Sequence, residues 1–406
     1  MEITQFANGL RCVAERSAGP VSYIGLAVDA GSRDDDPQHY GLAHFLEHTI
    51  FKGTRHRRAW HISNRMESVG GELNAYTTKE MTMVYTIAPA GYADRALELL
   101  SDLVKNASFP QAETERERDI VIEEIHSYRD NPSEAVFDEF DELLYAGSGM
   151  AHNILGSEES VRGLDGHAAR AFLDRYYTPG NMVLYCVDAD PHKAVRLAER
   201  HFGDMRFPTA SHHRVAPPVA DPFDVSRDHS NSQANTLLGV RIPDRNDAMR
   251  FPLTLFNNLL GGPAINSILC QQIRERRGLV YSIESNVVMM SDCGSFTVYF
   301  GSDPGTVDKC TRLVRESIDR IAQKTLSPAA FTKARDQFCG QLSVLSDNRE
   351  NCAMSLGRSL LMYGEVRGLE YNLEYNIEQI RSITAEQLRS AAELVASQTL
   401  SRLILT

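Results

Sequence analysis

Residues 40–54, YGLAHFLEHTIFKGT, place His44, Glu47 and His48 within five positions. An α-helix turns once every 3.6 residues, so these three side chains share one helical face. Two imidazoles at i and i+4 can hold one small ion, and the carboxylate just before the second sits beside whatever that ion binds. Leu42, Phe45, Leu46 and Ile50 give the segment the pattern of a buried helix. A stray charge is costly there unless it is paired or metal-bound, which argues against a solvated face with two surface histidines.

A catalytic zinc takes three protein ligands and keeps one position open, so a third ligand is required. Residues 115–128, ERERDIVIEEIHSY, offer Glu123 and Glu124. On a helix Glu124 shares a stripe with Glu117, Ile120 and Val121, whereas Glu123 shares a polar one with Arg116, Asp119 and Ser127. A ligand must point inward, which favours Glu124. Glu117, two turns earlier on the inward stripe, is placed to support a ligand or the water of the metal.

The elements that must position these residues belong to a chain of 406 residues, 42% hydrophobic and 24% charged, enough for two or three domains with sizeable cores. A net charge of −12 argues against nucleic acid and anionic membrane as partners. No apolar run reaches 18 residues, so no membrane-spanning helix is expected. Seven cysteines, an odd number without a CxxC pair, point to free thiols in a reducing compartment. The opening MEITQFANGLRCVAERS has no basic start and no apolar signal core, and it alternates like a strand. A cytoplasmic location is expected.

Residues 205–233 are rich in Pro, Ser, His and Asp and lack periodicity, which marks a linker. The expected division is a first domain over 1–206, a linker over 207–232 and a second domain over 233–406. Residues 80–125 and 293–342 share one plan: strand, polar turn, long amphipathic helix, proline-marked break, second helix. The offset of roughly 215 residues indicates domain duplication rather than a repeat array. Strands mixed with clustered helices predict an α+β fold, a sheet with helices against one face in each half.

GLAHFLEHTIFKGT, with Glu124 lying 76 residues beyond His48, resembles the pitrilysin/insulinase family of zinc metallopeptidases. The resemblance extends over nearly the whole chain and is to the short, two-domain members similar to the mitochondrial processing peptidase β-subunit. It implies two homologous domains of the processing-peptidase type, each a mostly antiparallel sheet with helices on one face. It implies one zinc per chain on His44, His48 and Glu124, with Glu47 as general base toward the attacking water and Glu117 as an accessory acid. GGELNAYTTKEMTMVYT looks like the family's edge strand, on which Asn74 and Ala75 would contact the substrate backbone.

IRERRGLVYSI resembles the family's Arg-x6-Tyr element, at Arg274 and Tyr281. From spacing alone these would be a surface arginine and a core tyrosine; the resemblance instead implies a carbonyl-fixing guanidinium and an oxyanion donor. The preceding LLGGPAINSIL departs from the commoner family form at Pro263, Ala264, Ile265 and Asn266, which bears on loop flexibility and substrate preference. The implied activity is endopeptidase cleavage of peptides or unfolded segments in an enclosed chamber, the substrate pairing with the edge strand. Long family members look like two such chains fused. This chain carries both elements at half that length, which implies a homodimer in which Arg274 and Tyr281 of one subunit complete the zinc site of the other. The rivals are a non-catalytic scaffold or partner subunit, which expects a broken zinc motif, and a metal hydrolase acting on a non-peptide ester or amide.

Overall fold

A computed structural model describes residues 1–206, 212–229, 231–366 and 373–406. Positions 207–211 and 230 of the expected linker lie outside the described residues. The alternating opening segments form β1 (Glu2–Gln5), β2 (Arg11–Arg16) and β3 (Val21–Val28). The apolar stretch around the two histidines forms α1 (Leu42–Thr49), followed by α2 (Ala59–Glu67), β4 (Glu72–Thr77) and β5 (Thr82–Pro89). Two long helices come next, α3 (Ala93–Asn106) and α4 (Gln111–Arg129). Pro132 opens α5 (Pro132–Leu144), at a position where the missing N–H has no helical partner to lose. The first half ends with α6 (Glu158–Arg162), α7 (Gly166–Tyr176), β6 (Met182–Asp188) and α8 (Pro191–Phe202).

The second half runs β7 (Asp224–Arg227), β8 (Ala234–Ile242), α9 (Arg250–Gly261), β9 (Val280–Met289) and β10 (Gly294–Ser302). It continues with α10 (Val307–Gln323), α11 (Pro328–Leu345), α12 (Arg349–Tyr363), α13 (Leu373–Ser382), α14 (Ala385–Ala396) and β11 (Ser401–Leu405).

The strands make two sheets, ordered β1-β2-β6-β3-β5-β4 and β7-β11-β8-β10-β9. Both are antiparallel except where β2 meets β6 and β7 meets β11. With β1 set aside, the orders correspond strand for strand: β2 with β7, β6 with β11, β3 with β8, β5 with β10, β4 with β9. The segment β5–α3–α4 recurs as β10–α10–α11. The fold is therefore α+β, as the sequence pattern predicts, with two mostly antiparallel sheets, as the family resemblance implies. Central β3 (VSYIGLAV) is apolar and buried along most of its length, while the edge strand β4 (ELNAYT) alternates and stays partly exposed.

Contacts divide the chain into two units. One holds Met1–His126, His152–Arg214 and Leu345–Leu373; the other holds Ser127–Ala151, Val215–Val344 and Glu374–Thr406. This differs from the contiguous domains 1–206 and 233–406 at two places, and packing supplies the reason. Ala353, Leu356 and Leu360 of α12 cover Val13, Ala27, Met83, Val183 and Tyr185, the apolar outer face of the first sheet. Val136, Phe140 and Leu144 of α5 pack with Leu237, Leu403 and Leu405 of the second sheet. Each sheet thus has its helix layer on one face, and one further helix, from the other half of the chain, on the opposite face. Both of these helices follow the corresponding long helix of the duplicated plan, α5 after α4 and α12 after α11.

None of the seven cysteines forms a disulfide, and six of them are buried. Among the described residues no helix is long and apolar enough to cross a membrane. Leu356 is fully buried, so Leu356→Ala should destabilise the protein by about 2–5 kcal/mol. Hydrogen exchange should locate the loss in β3 and β6, the strands that α12 covers. A loss confined to the second sheet would show that α12 packs elsewhere.

Candidate metal centre

α1 begins at Gly41, whose φ of 91° lies in the left-handed region. A Cβ at Gly41 would stand 2.5 Å from the Leu155 carbonyl oxygen, so conformation and space both require glycine. From there Leu42, Ala43, Phe45 and Leu46 enter the core of the first unit, and His44 is buried beside them. α4 buries Thr114, Glu117, Val121, Ile122 and Ile125, and this packing brings Glu124 to α1.

Glu124 Oε2 lies 3.7 Å from His44 Nε2 and 3.5 Å from His48 Nε2. One ligand atom from each of the three residues falls within 4.8 Å of the others. Ligand atoms bonded at ~2.0–2.1 Å around a tetrahedral zinc stand about 3.3 Å apart, so the two contacts to Glu124 need to shorten by only a few tenths of an ångström around the ion. Burial, and then the neighbouring His48, push His44 down to about 3. Its imidazole is therefore neutral, the form that donates a lone pair to a metal. His44 Nδ1 is buried without a hydrogen-bond partner. The residues present fit a zinc ion.

Glu117 is buried directly behind His48. Its Oε2 stands 3.3 Å from His48 Nδ1, and its Oε1 accepts from Lys52 Nζ at 2.8 Å. A carboxylate at Nδ1 holds the proton on that nitrogen and leaves the Nε2 lone pair facing Glu124. Lys52 compensates the buried charge of Glu117. The sequence reading missed Lys52, because it lies beyond the end of α1 and only packing brings it to Glu117.

Glu47 lies outside the converging donor set. Its Oε2 accepts from Thr77 Oγ1 at 2.6 Å. Burial raises its pKa; the Thr77 hydrogen bond and His48 oppose the rise, and Glu124 adds to it. Thr77 also escaped the sequence reading, because only the tertiary placement of β4 against α1 reveals it.

Of the two competing glutamates, Glu124 carries the converging oxygen and Glu123 is exposed. The stripe assigned to Glu124 needs one correction. Ile120 is 49% exposed. The buried arc of α4 centres on Val121 and Ile125. At about 100° per residue, Glu124 sits about 60° from Val121 at the margin of that arc, and Ile120 sits about 100° away, beyond it.

Asn74 and Ala75 lie on β4, the edge of the first sheet, paired with Tyr85 and Val84 of β5. Arg274 and Tyr281 belong to the second unit. Arg274 is in a π-helical turn, Cys270–Glu275, and Tyr281 is on β9, the edge of the second sheet. Tyr281 is no core residue: it is 57% exposed and its hydroxyl donates to Asp303 at 3.3 Å. Ile265 of the Pro263–Ala264–Ile265–Asn266 stretch is exposed, and Asn266 exchanges amide hydrogen bonds with Gln337.

The chain matches known structures over its full length. Residues 11–158 match the family model described as insulinase, peptidase family M16, and residues 165–338 match the model described as peptidase M16 inactive domain. The chain is 33% identical over 398 residues to an uncharacterised zinc protease of Mycobacterium leprae, covering 96% of this chain and 88% of that one. It is 28% identical to the mitochondrial-processing peptidase subunit beta of Caenorhabditis elegans, covering 97% of this chain and 86% of the relative. A crystal structure of a protease from Helicobacter pylori superposes with a TM-score of 0.89 at 19% identity, covering all of this chain and 99% of that one. A structure from Pseudomonas fluorescens, described as peptidase M16 inactive domain, gives 0.90 at 20% identity, covering 100% and 97%. The chain belongs to the M16, or insulinase, peptidase family.

The geometry sets an order of effects on zinc affinity, readable by competition with a chromogenic chelator. Glu117→Gln should weaken binding by about 10–100-fold. Glu124→Gln should weaken it further, and Glu123→Gln should barely change it. Equal losses at 123 and 124 would mean that the donor lies on the wrong face of α4.

Proposed function

We propose that this protein is a zinc-dependent endopeptidase acting on peptides or unfolded segments. The observation that carries the reading is the His44–His48–Glu124 convergence with Glu47 beside it, tied by Thr77 to an open sheet edge. His44, His48 and Glu124 would hold one zinc per chain. Bound there, zinc supplies polarisation of the scissile carbonyl and lowers the pKa of water to about 7.

The chain's own groups do the rest. Glu47 takes the proton of the attacking water and passes it to the leaving amine. The hydrogen bond from Thr77 occupies Oε2 and leaves Oε1 for that transfer. Glu117 orients His48, and Lys52 pairs with Glu117 in its buried position. The free edge of β4 accepts an extended segment by β-augmentation, with Asn74 and Ala75 against its backbone. Main-chain pairing of this kind selects unfolded chains and little sequence.

Tyr281 would donate to the oxyanion, a contribution of roughly 2.7–4 kcal/mol, and Arg274 would fix a peptide carbonyl. We place these two on a second copy of the chain, in a homodimer with two enclosed sites related by a twofold axis. Seven cysteines outside any disulfide suit a reducing compartment such as the cytoplasm. A second reading, a non-catalytic partner subunit, is favoured by the match of residues 165–338 to a model described as inactive. The complete donor set and Glu47 in the first unit weigh against it.

Glu47→Gln keeps the shape and removes the proton acceptor. Cleavage of a quenched peptide library should fall by about 10²–10⁴-fold while zinc content stays at the wild-type level. Activity within tenfold of wild type would remove Glu47 from the assigned role, and zinc-loaded wild type that cleaves nothing would select the scaffold reading.

Dimer sharing has its own test. Glu47→Gln and Tyr281→Phe chains, each impaired alone, should recover about a quarter of wild-type activity once subunits are shown to exchange. Mixing without recovery would leave no place for a shared site.

A further inference from the structure

The acidic run Asp34-Asp35-Asp36 precedes the metal-bearing helix and has no part in the chemistry above. Asp34 pairs with Arg214, and Asp36 accepts from the Gln38 amide. Asp35 differs from both in its partners: its completely buried side chain reaches the start of α1. Its Oδ2 accepts from Gly41 N at 2.8 Å and its Oδ1 from Ala43 N at 2.9 Å. These amides open α1 and have no carbonyl partner within the helix. Gly41 has no side chain with which to cap its own helix, so a carboxylate from the preceding loop takes that role.

The support continues behind Asp35. His152 Nε2 lies 3.6 Å from Oδ2, and the His152 ring stacks on Tyr40 at 3.9 Å. Lys79 donates to the His152 carbonyl. Both oxygens of Asp35 are therefore engaged at the first turn of α1, and a buried imidazole backs one of them. His44 follows immediately after Ala43. Any slip of that turn changes where its Nε2 stands relative to Glu124.

We propose that Asp35, backed by His152, is a positioning residue for the metal centre: its carboxylate fixes the first turn of α1 and so the place of His44. This rests on His44, His48 and Glu124 being the metal ligands.

Asp35→Asn is the informative variant. It keeps the shape but retains one acceptor, and it turns an NH2 group against the second amide. Zinc affinity should fall about tenfold, and amide exchange should accelerate at residues 41–45 while β3 and β6 stay protected. Unchanged zinc affinity, or exchange that rises evenly through the unit, would overturn the proposal by leaving Asp35 a merely structural role. A measurement on the unaltered chain covers failure of the variant to fold. In zinc-free wild type the amides of Gly41 and Ala43 should already exchange slowly; rapid exchange there overturns the proposal. Neither readout needs peptide cleavage. A wild-type protein that binds zinc and cleaves nothing removes the peptidase reading and leaves Asp35 in place, whereas one that takes up no zinc removes both.

Discussion

One carboxylate oxygen facing two imidazole nitrogens, at 3.5 and 3.7 Å, is the constraint around which the first unit is organised. The two histidines come from α1 and the oxygen from α4, far apart in the chain. Their meeting depends on two helices packed in one register on a common core. Burial makes the arrangement demanding. His44 must be neutral, and a buried Glu117 is tolerable only because Lys52 and His48 both contact it. A charge left unpaired in this place would destabilise the packing that brings the donors together.

The same constraint explains the neighbouring edge strand. β4 is the last strand of its sheet, so its outer backbone groups are available for pairing. Thr77 at its end holds Glu47. The strand proposed to receive an extended chain and the group proposed to move a proton are thus joined by a single hydrogen bond. An error in β4 register would turn Thr77 to the other face and release Glu47.

Duplication without the donors separates fold from chemistry. The second unit repeats the strand order and the long helix pair. Yet α11, the counterpart of α4, contains no glutamate, and residues 250–279, between β8 and β9, contain no histidine. The repeated architecture therefore needs no metal to form, and the site is an addition to one copy of it. The reciprocal placement of α5 and α12 also follows from duplication, because each is the helix after its own long pair and each covers the outer face of the other half's sheet.

Periodicity along the chain determined how each element presents its faces. It put His44, Glu47 and His48 on one side of a helix, gave Glu124 precedence over Glu123, and displayed the strand–helix–helix plan twice. These features are local: the 3.6-residue repeat fixes which side chains share a face before any partner is present. It left open what each face meets. That α12 rather than a nearer helix covers the first sheet, that Lys52 reaches Glu117, that Thr77 reaches Glu47 and that Asp35 closes the start of α1 are contacts between segments distant in the chain or irregular in backbone. Ile120 shows the same limit within one helix, since the width of the buried arc depends on what packs against it. Only tertiary packing decides such contacts, because the free energy that selects them comes from surfaces buried together and not from the pattern on either one alone.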